Sequence, residues 1–146
     1  MSTRFETMGE SHVQQVYELE KRCFSTPWSI ESFYAELINT HAVYFVAMTG
    51  IDVSGYAGMH IVGEDGYVTN VAVLPERRRA GIGDGLLCAL TQEARSRGCS
   101  VLTLEVRASN AAAIALYEKH AFRIVGHRRG YYTHPDEDAC IMLRII

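Results

Sequence analysis

The sequence predicts an α/β layer fold, and three observations predict it. Apolar runs of strand length, Ala42 to Met48, Tyr56 to Val62 and Tyr67 to Leu74, follow one another across short turns rich in glycine and aspartate. A basic, glycine-broken loop then opens an amphipathic helix. Beyond it an alternating strand, Val101 to Val106, leads into an alanine-rich helix that ends near Tyr117. With 146 residues, 48% of them hydrophobic, the chain has room for one domain, 1–146, with a sizeable core and little else.

The elements are expected in the following order. Ser11 and Gln14 form a capping box for a helix whose inner face carries Val13, Val16, Tyr17 and Cys23, with Phe24 packed beneath it. Ser25 to Trp28 is a turn, and Ser29 caps a second, short helix running through Phe33 and Leu37. Gly50 to Asp52 closes the first hairpin and Gly63-Glu64-Asp65-Gly66 the next. Pro75 has no N–H for a sheet ladder, so the strand through Val71, Ala72 and Val73 ends at Leu74. Leu86, Leu87, Leu90 and Ala94 mark the inner face of a longer helix, which Gly98 stops.

Chemistry concentrates between Arg78 and Tyr117. The loop Arg77 to Gly83 lies at a helix start, where about four backbone N–H groups lack partners and glycine lets an anion approach them. The spacing Arg78-x-x-Gly81-x-Gly83 is neither a dinucleotide fingerprint nor a P-loop, and it reads as either a phosphate cradle or a solvated glycine turn. Glu105 falls on the strand face opposite Leu102, Leu104 and Val106, at the strand's end. A carboxylate there is a candidate base, or a structural group paired with Arg107 or another arginine. Ser109 or Asn110 caps the following helix, and Asn110 and Tyr117, nearly two turns apart, share one face. Tyr117 therefore points inward, as a candidate acid or as a core ring.

On these residues a family resemblance becomes visible. Arg78-x-x-Gly81-x-Gly83 before a helix resembles the acetyl-CoA signature of the GNAT N-acetyltransferase superfamily, and the run LEVRASNAAAIALYE, Leu104 to Glu118, resembles its RimI branch, the ribosomal-protein-alanine N-acetyltransferases. The likeness continues through Arg128-Arg129-x-Tyr131-Tyr132 and Glu137-Asp138-Ala139 and is echoed by Pro27-Trp28-Ser29. The resemblance implies a GNAT fold, a mixed and mostly antiparallel central sheet flanked by helices on both faces, and acetyl transfer from acetyl-CoA, without a metal, to the N-terminal α-amine of a protein, the N-terminal alanine of a small-subunit ribosomal protein. It implies that Val71, Ala72 and Val73 pair with the pantetheine arm and that Arg78, Arg79, Ala80, Gly81, Ile82, Gly83 and Asp84 wrap the pyrophosphate. Asn110 would bond the cofactor arm, Glu105 would accept a proton and Tyr117 would donate one. Trp28, Tyr131 and Tyr132 are aromatic and flank loops, so the incoming chain end is expected between them, the alternative being that they are packing residues.

Two departures bear on this pattern. Ala121 stands where the family carries glycine, so this helix is expected to end differently, because positive φ costs an L-residue roughly 1 kcal/mol. Asp84 places an acid beside the expected phosphates, although it also suits a helix N-terminus.

Composition narrows the partners. A net charge of −3 with one short basic cluster speaks against extended nucleic-acid binding. Cys23, Cys88, Cys99 and Cys140 show no zinc or redox spacing and read as reduced thiols. No apolar segment suggests a leader or a membrane span, so a cytoplasmic protein is expected. The rival readings are a GNAT enzyme for polyamines or aminoglycosides, with Asp136, Glu137 and Asp138 as an acidic pocket, and a non-catalytic CoA-binding regulator.

Overall fold

A computed structural model describes residues 2–146. The strands are β1 (Thr3–Thr7), β2 (Ala42–Thr49), β3 (Asp52–Val62), β4 (Asp65–Val73), β5 (Val101–Arg107), β6 (Arg123–Tyr132) and β7 (Glu137–Ile145). The helices are α1 (Val13–Cys23), α2 (Ile30–Leu37), α3 (Ile82–Ser96) and α4 (Ala111–Lys119). The strands form one seven-stranded sheet in the order β1-β2-β3-β4-β5-β7-β6, antiparallel except where β4 meets β5. The expected α/β class and mixed sheet are thus found.

Alternation along the strands sends apolar side chains to two cores. On one face Leu102, Leu104 and Val106 of β5 meet Leu86, Leu87 and Leu90 of α3 and Tyr117 of α4. On the other, Val13, Val16 and Leu19 of α1 and Phe33 of α2 pack on Val46, Tyr56 and Ala72.

The feature that positions the site lies at the middle of the sheet. The β4–β5 pairing covers only Asp65 to Tyr67 against Val101 to Thr103, and the two strands then part. Just beyond, the β3–β4 register slips, with Gly58 opposite Asn70 and Met59 opposite Val68, so Thr69 is an extra residue. A bulge of this kind bends its strand and exchanges the faces of the residues after it. Val68 therefore sits in the α3 core while Ala72 sits in the α1 core. Leu74 donates its N–H to the Ser54 carbonyl, and by alternation Val71 and Val73 turn their N–H and C=O groups toward the parting.

Several sequence expectations are corrected here. The Ser11/Gln14 box does not form. A short 3₁₀ turn, Glu10–His12, precedes α1 instead, and the His12 ring accepts from the Gly9 N–H at 2.9 Å. Phe24 is 40% exposed rather than packed beneath α1. β1, which no alternation announced, pairs with β2 as a sheet edge. Ser29 does cap α2, accepting from Ser32 N–H at 3.2 Å, and Gly98 with φ +83° does stop α3.

Helix α4 ends as a glycine-capped helix would, although its cap is alanine. Ala121 takes φ +67°, its N–H donates to Glu118 O at 3.0 Å, and Phe122 N–H donates to Tyr117 O at 3.0 Å. These are the two bonds of a Schellman motif, and the Phe122 ring meets Tyr117 edge-on at 5.7 Å, the apolar contact that accompanies it. Ala121→Gly is therefore expected to raise stability by about 0.5–1 kcal/mol, read as a higher Tm with the fold unchanged.

Asp84, in the first turn of α3, ties that helix to the end of α4. Its Oδ1 lies 2.8 Å from His120 Nε2 and 3.1 Å from Lys119 Nζ. The His120 hydrogen bond, followed by that from Lys119, holds the Asp84 carboxyl below its ordinary value of 3.8. A carboxyl so lowered stabilises the fold fully above 3.8 and loses that contribution as pH falls through its folded value. Asp84→Asn is expected to unfold at lower temperature than the parent at neutral pH, and the gap between the two Tm curves closes on acidification through that window.

Candidate active site

A cleft of about 530 Å³ opens where β4 and β5 part. Its walls carry Val71 of β4, Glu105 of β5, Asn110 and Tyr117 from the start and end of α4, Trp28 from the turn between α1 and α2, and Tyr131 and Tyr132 from the end of β6. Residues distant in sequence and singled out from it thus share one cavity. Ala72, Val73 and the loop 78–84 lie outside its lining and continue from the C-terminal end of β4.

The Glu105 carboxylate is held at the cleft wall from two sides. Arg128 Nε of β6 donates to Oε1 at 3.0 Å, and the Tyr67 hydroxyl of β4 donates to Oε2. The side chain is 7% exposed, so the ion is compensated where it is withdrawn from water. The arginine partner is Arg128 and not Arg107. Arg107 instead donates to Glu137 at 3.3 Å and to the carbonyls of Pro135 and Thr133, and stacks over the Tyr132 ring at 4.5 Å. That fastens the β6–β7 turn, and Tyr132 with it, to the end of β5.

Tyr117 is 8% exposed, its ring in the α3 core and its hydroxyl without a hydrogen-bond partner among the described residues. Burial pushes its phenol above the usual range. Burial likewise pushes Tyr132 up to about 12. Asn110 is the N-cap of α4: Oδ1 accepts from Ala113 N–H at 3.1 Å, leaving the amide NH₂ of this cleft residue without a partner among the described residues. Ser109 does not cap by its hydroxyl; its backbone N–H donates to Glu137 at 2.6 Å.

The loop before α3 is a row of unused donors. Arg78 N–H bonds Pro75 O and the first helical bond runs from Gly85 N to Gly81 O, while the N–H groups of residues 79–84 find no acceptor among the described residues. Within this row Arg79 at φ +64° and Gly81 at φ +79° take left-handed backbone conformations, and the row lies at the positive end of the helix dipole, where an anion is favoured. The two glycines have different reasons. Gly81 serves its φ, with nothing near a would-be Cβ, whereas a Cβ on Gly83 would meet Leu116 of α4 at 2.9 Å, so Gly83 serves helix packing. The Arg78 side chain turns back, Nε donating to Val73 O at 3.3 Å. The Asp84 carboxylate is spent on His120 and Lys119.

Sequence reasoning missed Tyr67, Arg128 and Glu20. The first two hold Glu105 across 38 and 23 residues of chain, a link no local spacing reveals. Glu20 lines the cleft from α1 and is 2% exposed. Its one sequence signal is position: it lies a single residue after Leu19 and four after Val16, on the edge of the helix's apolar face.

Comparison with known proteins gives the same picture. The profile of the Acetyltransferase (GNAT) family matches residues 13–122. A ribosomal protein bS18-alanine N-acetyltransferase of Escherichia coli is 39% identical over 128 residues, 86% of each chain. An N-alpha-acetyltransferase RimI of Mycobacterium tuberculosis is 38% identical over 143 residues, 94% of this chain and 89% of the relative. The crystal structure of the ribosomal-protein-S18-alanine N-acetyltransferase from Escherichia coli superposes with a TM-score of 0.91 at 35% identity, covering 99% of this chain and 94% of that one. The parted strands, the donor-lined loop before α3 and these matches agree: the chain belongs to the GNAT family of acetyltransferases.

Proposed function

We propose that residues 1–146 form one catalytic domain that moves the acetyl group of acetyl-CoA to the N-terminal α-amine of a protein, specifically the N-terminal alanine of the small-subunit ribosomal protein bS18. The observation that carries this reading is the cleft at the strand parting, which has Glu105 and Tyr117 in one cavity with the aromatic residues Trp28, Tyr131 and Tyr132. The substrate named for the Escherichia coli relative, which matches 86% of this chain, supplies the acceptor.

Each residue then has a task. The N–H groups of residues 79–84 take the pyrophosphate, and Val71 and Val73 offer backbone groups to the pantetheine arm, with the Asn110 amide beside it. Glu105 receives the proton that the amine gives up as its nitrogen bonds the acetyl carbon, directly or through one water. Tyr117 supplies a proton to the thiolate that departs as the carbon–sulfur bond breaks. With its phenol pushed above the usual range, Tyr117 is a weak acid for a thiolate of pKa about 8.5, so it acts by hydrogen-bonding the developing charge and transferring late.

The choice of an α-amine has an energetic basis. Near pH 7.4, deprotonating an α-amine of pKa about 8 costs about 0.8 kcal/mol, against about 4 kcal/mol for a lysine at about 10.4. One carboxylate suffices for the first. The small-amine alternative has less support: none of Asp136, Glu137 and Asp138 lines the cleft, Glu137 is engaged by Arg107 and Ser109, and Asp138 accepts from Gly130 N–H at 2.7 Å.

The test offers acetyl-CoA with two peptides, one with a free N-terminal alanine and an internal lysine, the other identical but N-terminally blocked. A mass gain of one acetyl confined to the first is expected; a gain confined to the second overturns the α-amine assignment. Glu105→Gln and Tyr117→Phe are each expected to slow turnover by about 10²–10⁴ with CoA binding intact, and normal turnover in both would remove their assigned roles.

A further inference from the structure

Glu20 is the one buried carboxylate among the described residues that the mechanism leaves without a task, 2% exposed and without a cation in salt-bridge reach. Such a group is costly, and well-packed apolar side chains commonly replace buried ions with no loss of stability. Burial pushes its carboxyl above the ordinary range. What it does is visible in its contacts. The main-chain oxygen of Glu20 accepts from Phe24 N–H at 3.0 Å, and its side-chain Oε2 accepts from Trp28 N–H at 3.0 Å. One residue thus fastens both ends of the exposed turn from Phe24 to Trp28, within which Ser25 and Thr26 make no backbone hydrogen bond among the described residues.

The other oxygen carries the constraint inward. Oε1 accepts from the Tyr56 hydroxyl, which accepts from Asn70 Nδ2 at 3.2 Å. Tyr44 donates to Asn70 Oδ1 at 3.4 Å and sits 3.1 Å from Thr69 Oγ1. Thr69 is the bulged residue beside the strand parting, so a line of hydrogen bonds links the turn above the cleft to the bulge that opens it. Apolar contact sets the Trp28 ring, 5.5 Å from Phe33, whereas among the described residues Glu20 alone hydrogen-bonds the Trp28 backbone.

We propose that Glu20 is a positioning residue for the acceptor: it holds the turn from Phe24 to Trp28 as the wall against which the incoming chain end lies, without touching the reacting atoms. This rests on the acceptor side assigned under the proposed function. Reach matters here and charge does not, because the contact with Trp28 needs only an oxygen at that place.

The experiment compares Glu20→Met, which removes that oxygen at similar volume, with Glu20→Gln, which keeps it. Trp28 is the only tryptophan, so acrylamide quenching of its emission reports the turn independently of catalysis. Glu20→Met is expected to raise quenching and to raise KM for an N-terminal alanine peptide by about 10-fold, while kcat and KM for acetyl-CoA stay near the parent values. Glu20→Gln is expected to restore both readouts. Should Glu20→Met not fold, Glu20→Asp, which keeps the charge but withdraws the oxygen by one methylene, is expected to give the same split. Quenching unchanged in the folded variant overturns the proposal, as does raised quenching with an unchanged peptide KM. If the parent acetylates no N-terminal peptide, the proposed acceptor falls, and the quenching comparison still decides whether Glu20 holds the turn.

Discussion

Everything functional in this chain depends on two neighbouring strands ceasing to pair. β4 and β5 bond only from Asp65 to Tyr67 against Val101 to Thr103, and the bulge at Thr69 then bends β4 away. Parting strands leave backbone donors and acceptors without partners, which is unfavourable in a buried sheet unless something else takes them. Here the unpaired groups of Val71 lie in the cleft and those of Val73 continue the same edge beyond it, a β-strand edge opened in the middle of a sheet rather than at its rim, where a ligand's amides would meet it. Arg78 reaches back to the Val73 carbonyl, so even that group is partly satisfied.

The parting also brings opposite sides of the molecule together. Tyr117 belongs to the core beneath α3, whereas Glu105 projects from the other face of β5 toward Tyr67 and Arg128. A continuous sheet would separate them; an open one lets both line a single cavity. The surroundings are then fixed by polar clamps that act over long sequence distances. Arg107 fastens the β6–β7 turn, Glu137 fastens the turn before Asn110, and Asp84 fastens α3 to the end of α4. Each clamp joins an element of the cleft or of the loop before α3 to the frame. The geometry of the cleft is therefore a property of the whole central region and not of its lining alone.

What the sequence made legible is what local periodicity encodes. The alternation from Val101 to Val106 placed Glu105 on the face it occupies, the spacing of Asn110 and Tyr117 put both toward the cleft, and Gly81 and Gly98 marked the ends of α3 where the structure has them. What stayed illegible depends on register and on distant partners. A bulge such as that at Thr69 leaves no periodic trace, and Arg128 could be matched to Glu105 only through the β5–β7–β6 order. Ala121 shows the limit of a residue-preference argument. Two backbone bonds and the Phe122–Tyr117 contact hold it at positive φ, so tertiary packing overrides the local cost that pointed to another helix end. Asp84 is the counterpart: an acid that looks misplaced beside phosphates until His120 and Lys119 are seen to occupy it.

The central claim is that acetyl-CoA lies along the opened edge of β4 with its pyrophosphate at the start of α3. Amide hydrogen exchange with and without acetyl-CoA tests it most directly, because the N–H groups of Val71, Val73 and residues 79–84 have no acceptor among the described residues and are expected to exchange freely in its absence. The account predicts strong new protection at those amides when the ligand binds. Saturable binding of acetyl-CoA that leaves all of them exchanging at their free rates would contradict it.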